Sequence, residues 1–244
     1  MRPYAALVTG ANRGLGLALA TELLGRRPEA RVALGVRRPE NAAALAALRD
    51  RFADRCPPVH VDYEDEESLV RAAADCARHF GRLDLLVNCG GVNTSRGERP
   101  EAGRGPLPEL SATAFETLFR TNVVGPMLLC RELLPLLTRA ERPVVVNISS
   151  VRASLARVDG PGSVAYSVSK AALNMLTRKL ALDPASAGLV VVAVDPGWVR
   201  TRMGGDGAPA SAADAAAAIV RTVEGLDATH SGQFLDREGE RIPW

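Results

Sequence analysis

Aromatic residues make up only 4% of this 244-residue chain, so its core must be built mostly from Ala, Leu and Val. Cysteine is scarce as well. Cys56, Cys76, Cys89 and Cys130 show no paired metal-ligand spacing, so no metal site is expected. They read as reduced, buried thiols of a cytoplasmic protein. Neither sign of charge dominates: 30 Lys and Arg against 28 Asp and Glu leave a net +2. The basic residues are scattered, which argues against nucleic-acid or membrane-surface partners. No apolar run reaches the ~18 residues of a membrane span. A strand-like run begins at about Ala5, so no secretory leader is expected. What is present in quantity is apolar aliphatic sequence. The 47% hydrophobic content suffices for one α/β domain over residues 1–244.

Short Val/Leu runs alternate with amphipathic or Ala-rich stretches. Strands are predicted at Ala5–Thr9, Arg31–Val36, Val59–Asp62, Asp84–Asn88, Val144–Ile148, Leu189–Val194 and Gln233–Leu235. Most are continuous apolar runs, as in parallel strands covered on both faces. Helices fill the gaps. Leu45, Leu48 and Phe52 share one face; Leu69, Ala73, Cys76 and Phe80 share another, with Gly81 as the stop. Further helices are expected to start near Ser111 and Ser211. The alternation predicts a Rossmann doubly wound parallel sheet of seven strands, order 3-2-1-4-5-6-7, with helices on both faces.

Thr9-Gly10-Ala11-Asn12-Arg13-Gly14-Leu15-Gly16 follows the first strand and opens the first helix. Glycines there let a dinucleotide's diphosphate approach the backbone and the free N–H groups of a helix start. The second strand ends at Val36-Arg37-Arg38, where an NAD site usually presents a carboxylate to the ribose 2′-hydroxyl. Arg37, with Arg13, suits the 2′-phosphate of NADP(H) instead. Asp62 is either an acceptor for the adenine amino group or a strand-end turn residue. Asn88-Cys89-Gly90-Gly91 ends the fourth strand with small residues that would let the backbone pass close to the adenosine half.

Tyr166 and Lys170 are four apart in a helical stretch and so share a face. A free tyrosine, with a pKa of ~10, is a poor proton carrier at neutral pH. A neighbouring ammonium would lower that value and make Tyr166 a general acid for a carbonyl oxygen. Ser150 follows the fifth strand at its carboxyl end, where ligands sit in open α/β sheets. It could donate a hydrogen bond to the same oxygen. Asn122 lies on the helix between strands four and five, where its amide could hold a water connecting Lys170 to solvent.

With these motifs in this order, the chain resembles the short-chain dehydrogenase/reductase family over nearly its whole length. Pro196-Gly197-Trp198-Val199-Arg200-Thr201 and the ending Gly232-Gln233-Phe234-Leu235 to Pro243-Trp244 resemble its C-factor-like carbonyl reductase branch. The resemblance implies that Tyr166 is the acid, Ser150 orients the carbonyl, Lys170 binds the nicotinamide ribose, and Asn122 completes a proton relay. It implies that Pro196, Gly197 and Val199 flank the nicotinamide and that Thr201 contacts the diphosphate. Two features depart from the family's pattern. Asn-Cys-Gly-Gly replaces the usual Asn-Asn-Ala-Gly, and the gap from Ser150 to Tyr166 is lengthened around Arg157 to Ser163. The expected activity is NADPH-dependent reduction of a small ketone or aldehyde, as in a biosynthetic ketoreductase. The alternatives are a dinucleotide-binding signalling protein of C-factor type and an NAD-dependent alcohol dehydrogenase. Asn93 to Pro108 and Gly204 to Pro209 read as candidate lids. The helices from Phe115 through Leu137 and from Ala165 to Leu182 are apolar on more than one face, Leu128, Leu129, Leu133 and Leu136 being too many for one sheet, which predicts that both helices pack against a second subunit in a homodimer or homotetramer.

Overall fold

In the computed structural model, which describes residues 3–39, 43–93, 110–160 and 162–244, seven of the strands form one parallel sheet. They are β1 (Ala5–Thr9), β2 (Arg31–Val36), β3 (Pro58–His60), β4 (Leu85–Asn88), β5 (Val144–Ile148), β6 (Val190–Asp195) and β9 (Phe234–Asp236). The order is β3-β2-β1-β4-β5-β6-β9, the predicted arrangement. The last member is ninth in the chain because β7 (Val199–Arg200) and β8 (Ala210–Ser211) form a separate two-stranded sheet. Strands of two residues are too short to leave a pattern in sequence.

Helices α1 (Gly14–Arg26), α2 (Ala43–Phe52), α3 (Glu66–Phe80), α4 (Ala112–Phe119), α5 (Gly125–Leu137), α6 (Val164–Leu182) and α7 (Ala212–Gly225) fill the connections. The strands alternate between two cores. Ala6, Val8, Val146, Val192 and Val194 pack with α1 and α7 residues such as Leu19, Leu23 and Ile219. Leu7, Leu86, Val145 and Val191 face Leu69, Cys76, Leu129 and Leu133 of α3 and α5. Each fully buried aliphatic side chain contributes roughly 1.5–3 kcal/mol, so the aromatic-poor composition is no handicap to a double-layered core.

Local chemistry sets the element ends. Asp65, Ser111 and Ser211 cap α3, α4 and α7 through their side chains. Gly81, at φ 74°, ends α3. The third strand is shorter than expected and excludes Asp62. Ser68 Oγ accepts from the Asp62 N–H at 2.9 Å, and an Asp62 carboxylate oxygen accepts from the Glu64 N–H at 3.1 Å. The chain therefore turns out of the sheet there, toward α3. The helical run from Ser111 to Leu137 is not one regular helix: a π turn at Arg120–Val124 separates α4 from α5.

The four leucines of α5 do not need a second subunit to bury them. Leu128, Leu129, Leu133 and Leu136 are all buried within this chain. Helices α3 and α5 lie side by side on one face of the sheet and cover each other's flanks, so these leucines find partners within the chain. On α6, the other helix expected at a subunit contact, Val168, Met175 and Leu182 are exposed. Of the two candidate lids, residues 94–109 lie outside the described residues. The other, after Gly204, is tied down. Gly204 N–H donates to Thr201 Oγ1, Trp198 Nε1 donates to the Gly204 carbonyl, and Arg200 donates to the carbonyls of Ala208 and Pro209. Among the described residues no helix is long and apolar enough to cross a membrane.

Candidate active site

The sheet changes direction between β1 and β4, and a crevice at the carboxyl ends of such strands is where open α/β sheets take ligands. Three loops meet there: the glycine turn after β1, the serines after β5, and the Pro196–Gly197 turn after β6.

The glycine turn is a cradle that side chains would fill. Gly10 and Gly14 have φ of 66° and 54°, a region that L side chains rarely adopt. A Cβ on Gly16 would lie 2.4 Å from the Gly10 carbonyl oxygen. Unlike α3, α4 and α7, helix α1 has no side-chain cap and no acidic residue in its first turn. Its free N–H groups and positive dipole end suit an anion. Asn12 and Leu15 are half-buried beside them.

Arg13 is held below its ordinary pKa by desolvation, then by the positive charges of Arg202 and Arg37. Three guanidinium groups thus converge at this end of the crevice. Arg37 has an ion pair with Glu64, at a long 4.0 Å. Thr201 packs on the glycine turn, its Cγ2 standing 3.3 Å from where a Gly14 Cβ would lie. That contact brings Arg202 to Arg13. Sequence reading missed Arg202, although its place next to Thr201 was a signal. A phosphorylated dinucleotide fits this donor set: uncapped amides, a cleared backbone and clustered arginines.

The floor of the crevice explains the unusual strand-four ending. Tyr63 is buried, and its ring occupies the space an alanine would need at Gly90: a Cβ there would lie 3.0 Å from Tyr63 Cε2. Its hydroxyl bonds Thr9 Oγ1 at 2.8 Å and donates to Asn88 Oδ1 at 2.9 Å. Thr9 Oγ1 in turn accepts from the Cys89 and Gly90 N–H groups. The Asn88 side chain is engaged within the sheet, since its Nδ2 also donates to Asn147 Oδ1. Asp62 makes a strand-end turn through Oδ1 alone, which is compatible with its other reading as an acceptor.

Tyr166 and Lys170 lie on α6 and face Ser150 across the crevice. Ser150 is the hydroxyl neighbour that favours the Tyr166 phenolate. Lys170 Nζ donates to the Ile148 carbonyl at 2.7 Å and stands 5.8 Å from the centre of the Tyr166 ring. Burial brings the lysine down to about 8. Tyr166 runs opposite to the expectation from spacing. Burial pushes it up to about 12, opposed by the neighbouring Ser150 hydroxyl and the Arg152 charge and aided by the negative charge of Asp195. Desolvation outweighs the attractive neighbours because the phenol is enclosed, and the ammonium is directed at Ile148.

Asn122, fully buried in the π turn, forms a bracket. Its Oδ1 accepts from the Val92 N–H, and its Nδ2 donates to the Val92 carbonyl and to Ser169 Oγ, all at 2.9–3.0 Å. Ser169 Oγ donates to the Tyr166 carbonyl at 2.8 Å. The amide thus ties the β4 loop to α6 with both of its N–H donors engaged, and Oδ1 keeps a second lone pair that can accept from a water. Ser149 donates to Asn174 Oδ1 at 2.6 Å. Gly197 turns at φ 75°, and Val199 is buried behind it. The C-terminal residues brace the serine loop: Ser154 Oγ donates to the Pro243 carbonyl, and the Ala156 N–H to that of Trp244.

Comparisons with known proteins agree with this geometry. The family model for short chain dehydrogenases matches residues 4–211. The chain is 35% identical to C-signal of Myxococcus xanthus over 164 residues, covering 67% of this chain and 94% of that protein. Among solved structures, carbonyl reductase Sniffer of D. melanogaster is 27% identical with a TM-score of 0.90. NADPH-bound carbonyl reductase from chicken fatty liver is 29% identical with a TM-score of 0.89. Each of these two likenesses covers all of both chains.

Proposed function

The chain belongs to the short chain dehydrogenase family, and on that premise we propose that it reduces a small ketone or aldehyde with NADPH, Tyr166 acting as the general acid. The observation that carries this reading is the convergence of Ser150 and buried Lys170 on Tyr166, with Lys170 Nζ 5.8 Å from the centre of the phenol ring. Gly10, Asn12, Gly14, Leu15 and Gly16 hold the diphosphate against the start of α1, with Thr201 closing from above. Arg13, Arg37 and Arg202 take the 2′-phosphate, and Asp62 the adenine amino group. The backbone at Asn88 and Gly90 underlies the adenosine. Pro196, Gly197 and Val199 flank the nicotinamide, and Lys170 binds its ribose. NADPH in the chicken relative's structure supports this choice of cofactor.

Bound NADPH supplies hydride to the carbonyl carbon. Ser150 holds the carbonyl oxygen, where negative charge develops. Tyr166, raised to about 12, keeps its proton throughout the neutral range. The alkoxide formed by hydride addition is far more basic than a phenolate, so the proton passes from Tyr166 to that oxygen and the alcohol leaves. Ser150 steadies the phenolate until solvent returns the proton. Asn122 acts through its neighbours, fixing Val92 and the first turn of α6.

Consumption of NADPH with a panel of ketones and aldehydes tests the reading. Tyr166→Phe is expected to keep NADPH affinity while turnover falls by about 10²–10⁴-fold; near-wild-type rates would overturn it. The likeness to C-signal favours a second reading, a dinucleotide-binding signalling protein. NADPH binding without consumption against the whole panel would select it.

A further inference from the structure

Asn174 is a buried amide on α6 that no motif singles out. It is 3% exposed and lies one turn beyond Lys170 on the helix that also carries Tyr166. Its Oδ1 accepts from Ser149 Oγ at 2.6 Å, a short bond for two neutral groups. Ser149 is 2% exposed and directly precedes Ser150. Its N–H donates to the Val194 carbonyl of β6 at 2.7 Å. Ser149 is therefore fixed from two sides, by its backbone to the sheet and by its side chain to the helix. One turn earlier on α6, Lys170 Nζ donates to the Ile148 carbonyl at 2.7 Å. Successive turns of α6 thus grip the two consecutive residues that lead into Ser150. Beyond Ser150 the chain turns at once. The Ser150 carbonyl accepts from the Ala153 N–H at 2.8 Å, and its Oγ accepts from the Arg152 N–H at 3.3 Å.

We propose that Asn174 is a positioning residue for Ser150: by holding Ser149 it fixes the serine turn to the helix that carries Tyr166, and so sets the spacing of the two hydroxyls. The catalytic part of this inference rests on the reading of Ser150 and Tyr166 as the groups that hold and protonate a carbonyl oxygen. The two ties between α6 and the end of β5 are not equivalent. The Lys170 ammonium is also the group assigned to the nicotinamide ribose, so its bond to Ile148 is shared with the cofactor site. Asn174 has no second duty, and its bond to Ser149 stays in place when the ammonium turns to the ribose. Packing does not account for an amide here. Its Nδ2 is buried with no hydrogen-bond partner among the described residues, which lowers stability. A leucine has nearly the same shape and would fill the space without an unmet donor. What the amide supplies, and a leucine cannot, is the acceptor for Ser149. A misplacement of ~1 Å in an orienting group can slow turnover by about 10²-fold, so small freedom in this turn matters.

The test separates holding the turn from holding the fold. Removing both partners of a buried hydrogen bond leaves no orphan, so the double variant Ser149→Ala/Asn174→Leu should unfold close to the wild-type temperature. Amide hydrogen exchange, followed residue by residue in the full-length chain, reports the turn through the Arg152 and Ala153 N–H groups that bond to Ser150. In the double variant both should exchange about tenfold faster, as expected for the loss of one hydrogen bond. The amides of Val146 and Val192, paired within the sheet, should keep their wild-type rates. Turnover is followed with 4-nitrobenzaldehyde and the other carbonyls of the panel. The expected loss is about 10–10²-fold in kcat, with the KM for NADPH unchanged. Ser149→Ala alone removes the donor, should act in the same direction, and serves if the double variant does not fold. Unchanged exchange at Arg152 and Ala153, or faster exchange spread equally over the sheet, overturns the proposal. So does faster exchange at the turn with a wild-type kcat, or a loss confined to the KM for NADPH. If the wild type consumes no NADPH with any carbonyl, the reductase reading fails, yet the exchange rates still show whether Asn174 holds the Ser150 turn.

Discussion

The Tyr63–Gly90 contact makes a quantitative prediction, because the obstacle to a side chain at residue 90 is a single identified ring. Gly90→Ala would set a Cβ 3.0 Å from Tyr63 Cε2 and 3.5 Å from Thr9 Oγ1. The ring has little room to yield. Its hydroxyl is bonded to both Thr9 and Asn88, and on its other side a Cβ at Gly125 would meet Tyr63 Cβ at 2.3 Å. Overpacking of this kind costs about 1–3 kcal/mol. Restricting the unfolded chain returns about 0.4–1 kcal/mol, so the net loss should lie between about 0 and 2.6 kcal/mol. In a Tyr63→Leu background the ring is gone, and the same alanine should stabilise by about 0.4–1 kcal/mol. Urea unfolding of the wild type, both single variants and the double variant then gives a coupling of about 1–3 kcal/mol. A coupling below ~0.5 kcal/mol is ordinary additivity and would refute the idea that Tyr63 dictates glycine at this position.

Removing one arginine of the cluster should weaken NADPH more than NADH. Arg202→Ala is expected to lose about tenfold or more in NADPH affinity, from one charge-assisted hydrogen bond, by fluorescence titration at fixed salt; equal loss for both cofactors would place Arg202 away from the 2′-phosphate. Lys170 is depressed from 10.5 to about 8 by burial, so between those pH values the unfolded chain binds more protons and stability rises with pH. The unfolding free energy of wild type relative to Lys170→Met should therefore grow by up to about 3 kcal/mol from pH 8 to 10.5, and a pH-independent difference would mean that the ammonium is not desolvated.

The strands were legible because each is an apolar run whose alternate residues face two different helix layers, as Leu7 and Val8 do. Tyr166, Lys170 and Ser150 were legible because helix period and strand ends place them without knowledge of the rest of the chain. What sequence concealed is long-range. Nothing near Tyr63 in the chain announces that its ring will lie under Gly90. The leucines of α5 looked surplus to one sheet because the cover supplied by α3 is not written in α5 itself. The electrostatics of Tyr166 was misjudged for the same reason: spacing locates a charge four residues away but says nothing of how deeply the phenol is enclosed.

The catalytic helix also needs a fixed register, and apolar packing alone is poor at supplying it, since aliphatic faces tolerate small slides. A buried polar chain does so here. Thr9 bonds Tyr63, Tyr63 donates to Asn88, Asn88 to Asn147, and Asn147 to Thr177 on α6, whose hydroxyl donates to the Leu173 carbonyl. Every link is 2.8–2.9 Å long, and every member is at most 5% exposed or lies in the protein's interior backbone. Sliding α6 by one residue would leave Asn147 or Thr177 without its partner, at about 1–3 kcal/mol for each orphaned group. The chain begins at the glycine turn and ends two turns beyond Lys170, so the residues that cradle the diphosphate and the residues that handle the proton are held in one frame. The distance between cofactor and acid is thereby set by hydrogen bonds through the sheet, independently of the loops that shape the substrate's entrance.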